Sequence, residues 1–326
     1  MSETFSDGRI YRITPRAEQS TNKGSETQQI ALSEVSPGDK PWDKHRAFAD
    51  RVESFYAKTE FDSYSTRIHF CSDLLEFGLQ HGGDALKMKL RSARFCRVPR
   101  CPVCQWRRSL RWKAKAYQVL PKIVEAYPTH RWLFLTLTQK NIPIVELRDA
   151  LKAMNRGYQR MVQRRIWPGV GWLRSTEVTR GRDGNAHPHF HSLVLVPRSF
   201  FGQGYIKKAE WIELWRDCMR LDYKPILDMK AVKEGDRPMQ LVPELLKYVT
   251  KESDLVAERE WFLELTRQLY KMRLIATGGV LKQFLKELEQ EPEDLIGESG
   301  DPSQEDLMSL YFAWRRSEKK YWMVDN

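Results

Sequence analysis

Residues 171–197 read "GWLRSTEVTRGRDGNAHPHFHSLVLVP", and the fold turns on how that stretch is read. Runs rich in β-branched and aromatic residues flank Gly181-Arg-Asp-Gly184, a turn signature, so the stretch predicts a hairpin. The chain holds seven histidines in 326 residues, and His187, His189 and His191 stand close together ahead of the apolar run "SLVLV". In an extended strand, residues two apart share a face, so His189 and His191 stand side by side while Phe190 points into a core. If the strands pair about Arg182–Asp183, Glu177 comes close to opposite His189, and the three side chains share that face. Two neutral imidazoles and a carboxylate, with coordination positions left open, suit a catalytic divalent cation such as Mg²⁺ or Mn²⁺. His187 has the same facing parity but precedes Pro188, which makes it a supporting residue or an alternative ligand.

With 41% hydrophobic residues the chain can bury one large core or two smaller ones. A formal charge of +11 favours a polyanionic partner, either nucleic acid or an anionic membrane surface. The apolar runs "WLFLTL" (132–137) and "FHSLVLV" (190–196) fall far short of the ~20 residues that span a bilayer. The start "MSETFSDGRIYRITPR" lacks the apolar stretch of a secretion signal, so the expectation is a cytoplasmic protein with no membrane partner.

Residues 1–40 are rich in Ser, Thr, Gln, Gly and charge and read as a flexible arm. Helical spacing begins at "PWDKHR" (41–46), with Phe48, Val52 and Tyr56 on one face, and 105–126 reads as a basic helix. A strand at 131–140, a helix at 145–165, the hairpin, a helix at 207–220, a strand at 226–232 and a helix at 241–252 follow. Residues 255–326 read as helical, then acidic, then aromatic. The domains expected are 1–40 (arm), 41–128 (helical, cysteine-rich and basic), 129–255 (the histidine-bearing sheet) and 256–326 (helical extension with an acidic linker). The fold class is α+β, an antiparallel sheet with flanking helices.

Four of the five cysteines, Cys71, Cys96, Cys101 and Cys104, cluster, and "CPVC" has the short turn of a zinc knuckle. Four thiolates close a structural Zn²⁺ site, with His69 and His81 as substitute ligands. Cys218, beside Trp215 and Met219, reads as a core thiol. Around the knuckle stand Arg97, Arg100, Arg107, Arg108 and Arg111, with Trp106 interleaved and no acidic residue from 91 to 115. Arg156, Arg160 and Arg164 form a stripe at intervals of four. These residues are the candidate DNA contacts, neutralising phosphates and stacking unpaired bases.

In "QLVPELLKYVTKESD" (240–254) Pro243 suits the first turn of a helix, and Glu244, Tyr248 and Lys251 then share one face. A tyrosine hydroxyl, with a pKa near ~10, becomes a useful nucleophile at neutral pH only beside a cation or base. Lys251 offers the charge and Glu244 the base.

The strand "FLTLT", the His-hydrophobe-His strand and the helical Tyr-x-x-Lys, in that order, resemble the motifs of the HUH endonucleases. Within that superfamily "PELLKY", "PWDKHR", "FCRVPRCPVCQWRRSLRW" (95–112) and "EVTRGRDGNAHPHFH" (177–191) are similar to the initiators of small rolling-circle bacterial plasmids. The likeness covers roughly residues 40–255. It implies a ferredoxin-like core, with 129–255 as the endonuclease domain. It also implies that His189, His191 and Glu177 hold a cation against a scissile phosphate of plasmid origin DNA, single-stranded at the nick. Tyr248 then attacks, leaving a 5′-phosphotyrosine and a 3′-OH for the host helicase and polymerase. Glu244, one turn before Tyr248, activates water to end the cycle by hydrolysis. Two other readings stand beside it: a transposase or mobilisation relaxase of the same chemistry, and a non-enzymatic zinc-stabilised DNA-binding protein.

Overall fold

The computed structural model describes residues 29–81, 86–232, 238–246, 258–288 and 308–325. In chain order the strands among them are β1 (Leu74–His81), β2 (Leu86–Ala93), β3 (His130–Thr138), β4 (Gly171–Arg180), β5 (Ala186–Pro197), β6 (Leu227–Ala231), β7 (Ile275–Gly279), β8 (Met308–Arg315) and β9 (Lys320–Val324). The longer helices are α1 (Pro41–Tyr56), α2 (Asp62–His69), α3 (Pro102–Ala126), α4 (Leu147–Val162), α5 (Lys208–Met219), α6 (Arg259–Gln268) and α7 (Val280–Leu288). None of the helices among the described residues is long and apolar enough to cross a membrane. The chain divides into two compact units: residues 1–108 with 294–326, and residues 109–293.

The second unit is built on a sheet of order β6-β3-β5-β4-β7 in which every neighbouring pair is antiparallel. The run β3-α4-β4-β5-α5-β6 is a β-α-β-β-α-β unit, and its strands lie in the spatial order fourth, first, third, second, a ferredoxin-like arrangement. The two faces of this sheet are packed differently. One carries Phe190 and Ser192 against α4 and α5: the Tyr158 hydroxyl meets Ser192 at 2.6 Å, and Trp215 packs on Phe190 and donates to the Thr138 carbonyl. Arg174 is buried there, its guanidinium 4.0 Å over Phe190 and 4.5 Å over Tyr158, and burial lowers it to about 10. The other face packs Trp132, Phe134, Leu173, Leu193 and Leu195 against Ile123, Leu245, Leu281 and Leu285.

The β4–β5 turn closes as its sequence predicts. Gly184 takes φ +77, a conformation glycine adopts without penalty, and donates to the Gly181 carbonyl. Glu177 consequently pairs with His189 and Ser175 with His191.

The first unit is a second antiparallel sheet, of order β2-β1-β8-β9. Leu75, Phe77, Phe312 and Tyr321 form its buried face. The Tyr321 backbone donates to the Asp43 carboxylate, and Trp42 of α1 meets the Tyr321 ring at 6.4 Å.

Three expectations need correction. Residues 29–40 do not belong to an arm: Ala31 and Leu32 are fully buried and Ala31 bridges Trp322, because a short apolar segment was averaged into a polar composition. The buried stripe of α1 runs Trp42, Arg46, Ala49, Val52, Tyr56, leaving Phe48 half-buried beneath Lys44. The C-terminal region is not simply helical, since β7 joins the edge of the histidine sheet and β8–β9 completes the other. Strands that pair with partners far away in sequence carry little local signal.

Candidate metal centre and active site

The period-2 alternation of β5 puts His189 and His191 on the sheet face away from α4 and α5, and the register sets Glu177 beside them. His189 Nε2 and His191 Nε2 each lie 3.0 Å from Glu177 Oε2, and all three side chains are largely buried. The three donor atoms lie within 4.8 Å of one another, so the triad is positioned to bind a metal ion.

The outer nitrogens support the same assignment. His191 Nδ1 lies 3.2 Å from Thr136 Oγ1, and His189 Nδ1 lies 3.3 Å from the His187 carbonyl. With its proton on Nδ1 each ring finds an acceptor there, and the Nε2 lone pair is left for a cation, the usual orientation of a metal-binding histidine. The site is a two-histidine, one-carboxylate set with open positions.

His187 stands at the rim, its ring centroid 5.4 Å from that of His189. Its Nδ1 is 2.9 Å from Asn141 Oδ1, while the Asn141 amide donates to both oxygens of Asp183. Burial, then the neighbouring His189, lowers its pKa. His187 is thus tied through Asn141 to the hairpin turn, and the three-donor group is Glu177, His189 and His191.

Of the expected nucleophile helix, the described part is the turn Val242–Leu245 with Pro243 in its first positions. Glu244 is half-buried there. Tyr248 and Lys251 lie outside the described residues. The carbonyls that end this turn are held by side chains: Ser175 donates to Leu245, and Ser109 donates to Leu246 at 2.7 Å. Ser175 is on β4 two residues before Glu177, hence on the same face.

In the first unit Cys71, Cys96, Cys101 and Cys104 come together, all buried. The sulfurs stand 3.6 Å (Cys96–Cys104) and 3.7 Å (Cys71–Cys104, Cys71–Cys101) apart. Sulfurs at the corners of a tetrahedron with Zn–S bonds of about 2.3 Å lie roughly 3.8 Å apart, whereas a disulfide needs about 2.05 Å. The donor set therefore fits a tetrahedral ion. The backbone amides of Cys96 and Val98 point to the sulfurs of Cys71 and Cys96, and Ser72 and Arg97, each next to a cysteine, take positive φ. Burial, then contact with the other thiols, raises Cys101 well above the usual thiol range, so an ion must displace protons to bind. His69 bonds Glu53 and is no ligand in this arrangement.

The candidate DNA contacts separate into groups. Arg97 is exposed, and Arg108, partly exposed, donates to its carbonyl. Arg100 is only 6% exposed, and burial lowers its guanidinium to about 10, so it offers no surface charge and leaves the set. Trp106 stacks on His45 and meets the edge of Trp42, with Arg107 over both tryptophans, so that ring is engaged in the packing of its own unit. Arg111 is partly exposed on α3. Arg156 and Arg164 are exposed and Arg160 donates to the Cys218 carbonyl, but α4 covers the sheet face opposite the triad. Spacing by four predicts a stripe; it does not say which side of a sheet the helix will cover.

The family model described as "Replication protein" matches residues 87–322. The chain belongs to that family. A "Protein rep" of Streptococcus pneumoniae serotype 2 (strain D39 / NCTC 7466) is 28% identical over 315 residues, covering 92% of this chain and 98% of the relative. A "Protein rep" of Bacillus amyloliquefaciens is 32% identical over 78% of this chain and 83% of its own length. A "Replication protein" of Staphylococcus aureus is 32% identical over 65% of this chain and 98% of its own length. No solved structure matches. The resemblance of the ordered motifs to plasmid replication initiators of the HUH type is borne out at this level.

The residues that sequence reasoning passed over in this replication protein are Thr136, Asn141 and Ser175. Thr136 lies within the quoted "FLTLT", but only the pairing of β3 with β5 sets it against His191.

Proposed function

We propose that this replication protein initiates plasmid copying by nicking one strand of the origin and later rejoining it, with Tyr248 as the nucleophile. The observation that carries the reading is the shared face: His189, His191 and Glu177 converge on the strand pair whose Ser175 fastens the turn leading to Tyr248. Tyr248 follows two positions after Leu246, a reach of at most about 7 Å along an extended chain.

A divalent ion such as Mg²⁺ or Mn²⁺, held by His189, His191 and Glu177, would draw charge from the non-bridging oxygens of the scissile phosphate. The chain's own residues do the rest. Tyr248, its hydroxyl proton made easier to lose by the charge of Lys251, attacks phosphorus. The new P–O bond to tyrosine replaces the bond to the 3′ oxygen, which leaves as a hydroxyl for a host polymerase to extend. Because the phosphodiester is stored on Tyr248, the strand can be rejoined without a nucleotide cofactor. Glu244 then takes a proton from water, and hydrolysis frees Tyr248 after one round. Four thiolates hold a structural Zn²⁺ in the first unit, and Arg97, Arg107, Arg108 and Arg111 supply phosphate contacts.

Mass spectrometry of the protein after incubation with Mn²⁺ and a single-stranded origin oligonucleotide should find the 5′-phosphate on Tyr248. An adduct elsewhere, or cleavage that persists in Tyr248→Phe, removes the assignment. Glu244→Ala should still form the adduct and let it accumulate, since hydrolysis is the step it loses; time courses of adduct and free protein check this. Affinity for the oligonucleotide should fall by orders of magnitude between about 50 and 200 mM salt, as fluorescence anisotropy would read. A flat salt response argues against the arginine contacts.

A further inference from the structure

We infer that the two hydroxyls flanking His191 across the sheet are positioning residues with separate tasks. Thr136 orients the donor nitrogen of His191, and Ser175 fastens the chain that leads to Tyr248. The inference rests on the metal and nucleophile assignments above.

Thr136 on β3 and Ser175 on β4 are the residues directly opposite His191 on either side. Directly paired residues share a face, so hydroxyl, imidazole and hydroxyl form one row. A neutral imidazole carries one ring proton. If Nε2 is to give its lone pair to a cation, that proton must sit on Nδ1 and find an acceptor. Thr136 Oγ1, 3.2 Å from His191 Nδ1, is that acceptor. His189 obtains the same service from the His187 backbone carbonyl, which no side-chain substitution removes. Thr136 is therefore the side chain through which ligand orientation can be tested.

Ser175 turns the other way. Its hydroxyl donates to the Leu245 carbonyl, one of the groups that a helical turn leaves without a partner at its end. At 7% exposure Ser175 has little competing water, and Ser109 secures the adjacent Leu246 carbonyl. The backbone running toward Tyr248 thus departs from two tethered carbonyls, one of them bound to the strand that carries Glu177.

The test measures Mn²⁺ affinity by titration calorimetry and single-turnover cleavage of the origin oligonucleotide in the full chain. Thr136→Val should weaken Mn²⁺ by about 10- to 100-fold, with cleavage recovering at high Mn²⁺, and Thr136→Ser should restore affinity. Ser175→Ala should keep Mn²⁺ affinity while the single-turnover rate falls by about 10- to 100-fold. Added Mn²⁺ or substrate should not rescue that rate, and Ser175→Thr should recover most of it. If Ser175→Ala fails to fold, Ser175→Cys, of similar size and with a weaker donor, carries the same test. Wild-type Mn²⁺ affinity in Thr136→Val overturns the first task. Wild-type cleavage in the Ser175 variant, or Mn²⁺ loss parallel to its rate, overturns the second. Failure of the underlying reading looks different: wild type neither binds Mn²⁺ nor cleaves, or Tyr248→Phe still cleaves.

Discussion

Cleavage of a single-stranded origin oligonucleotide should fall by about a thousandfold or more when His191 is replaced by alanine. A thousandfold is roughly 4 kcal/mol of transition-state stabilisation, the scale expected when a metal-held phosphate loses its charge neutralisation. Two of the three donors would remain, but Glu177 would keep its buried negative charge with one imidazole fewer against it. Because the His191 ring also stacks on Phe134 at 5.7 Å, part of any effect of alanine comes from lost packing. Glu177→Gln separates the two causes, since it keeps the volume and removes the charge. Wild-type protein should melt at a higher temperature when Mn²⁺ is added, as any ligand of the native state requires. Both variants should lose that rise, and their salt-dependent binding of DNA should persist. A Glu177→Gln protein that is stabilised by Mn²⁺ as wild type is and cleaves at the wild-type rate would show that the cation site lies elsewhere.

The second large effect concerns the cysteines. Purified protein should contain one zinc per chain by elemental mass spectrometry, and Cys101→Ser should abolish it and lower the melting temperature of the first unit sharply. Cys71 precedes the β1–β2 hairpin and Cys96, Cys101 and Cys104 follow it, so an ion on the four sulfurs closes the base of that hairpin. Structural zinc contributes on the order of 10 kcal/mol of apparent folding free energy where it organises a small unit. Acid should release the ion, because the thiolates must be reprotonated, and for Cys101 burial favours the protonated form strongly. Cys218→Ser is the control: it is buried on α5 outside the cluster, and its loss alters packing without touching the metal. A chelated protein that melts unchanged would show that the four sulfurs are packed thiols and nothing more.

Much of the candidate site was legible because a hairpin is local. The alternation His189-Phe190-His191, the turn at Gly181–Gly184 and the distance from Glu177 to that turn are contained within fifteen residues, and together they imply the pairing of Glu177 with His189. The tetrahedral approach of Cys71 to "CPVC" was anticipated for a related reason, the chemistry of four thiols in one neighbourhood, although the hairpin between them was not.

Local order allowed no such reading of Arg100. It looks like its neighbours in a basic run, yet it is buried. Neither could the arginine stripe of α4 be assigned to a side of the sheet, nor β7, β8 and β9 be distinguished from the helices around them. What the chain's own order of residues dictates is what neighbours along it can decide: a strand's facing parity, a turn's register, a donor set of the right chemistry. The folded molecule decides which strands lie side by side, and so brings Thr136 and Ser175 to His191 from residues 55 and 16 positions away in sequence. That choice depends on burying both faces of the sheet at once, a property of the whole packed unit that no single segment contains.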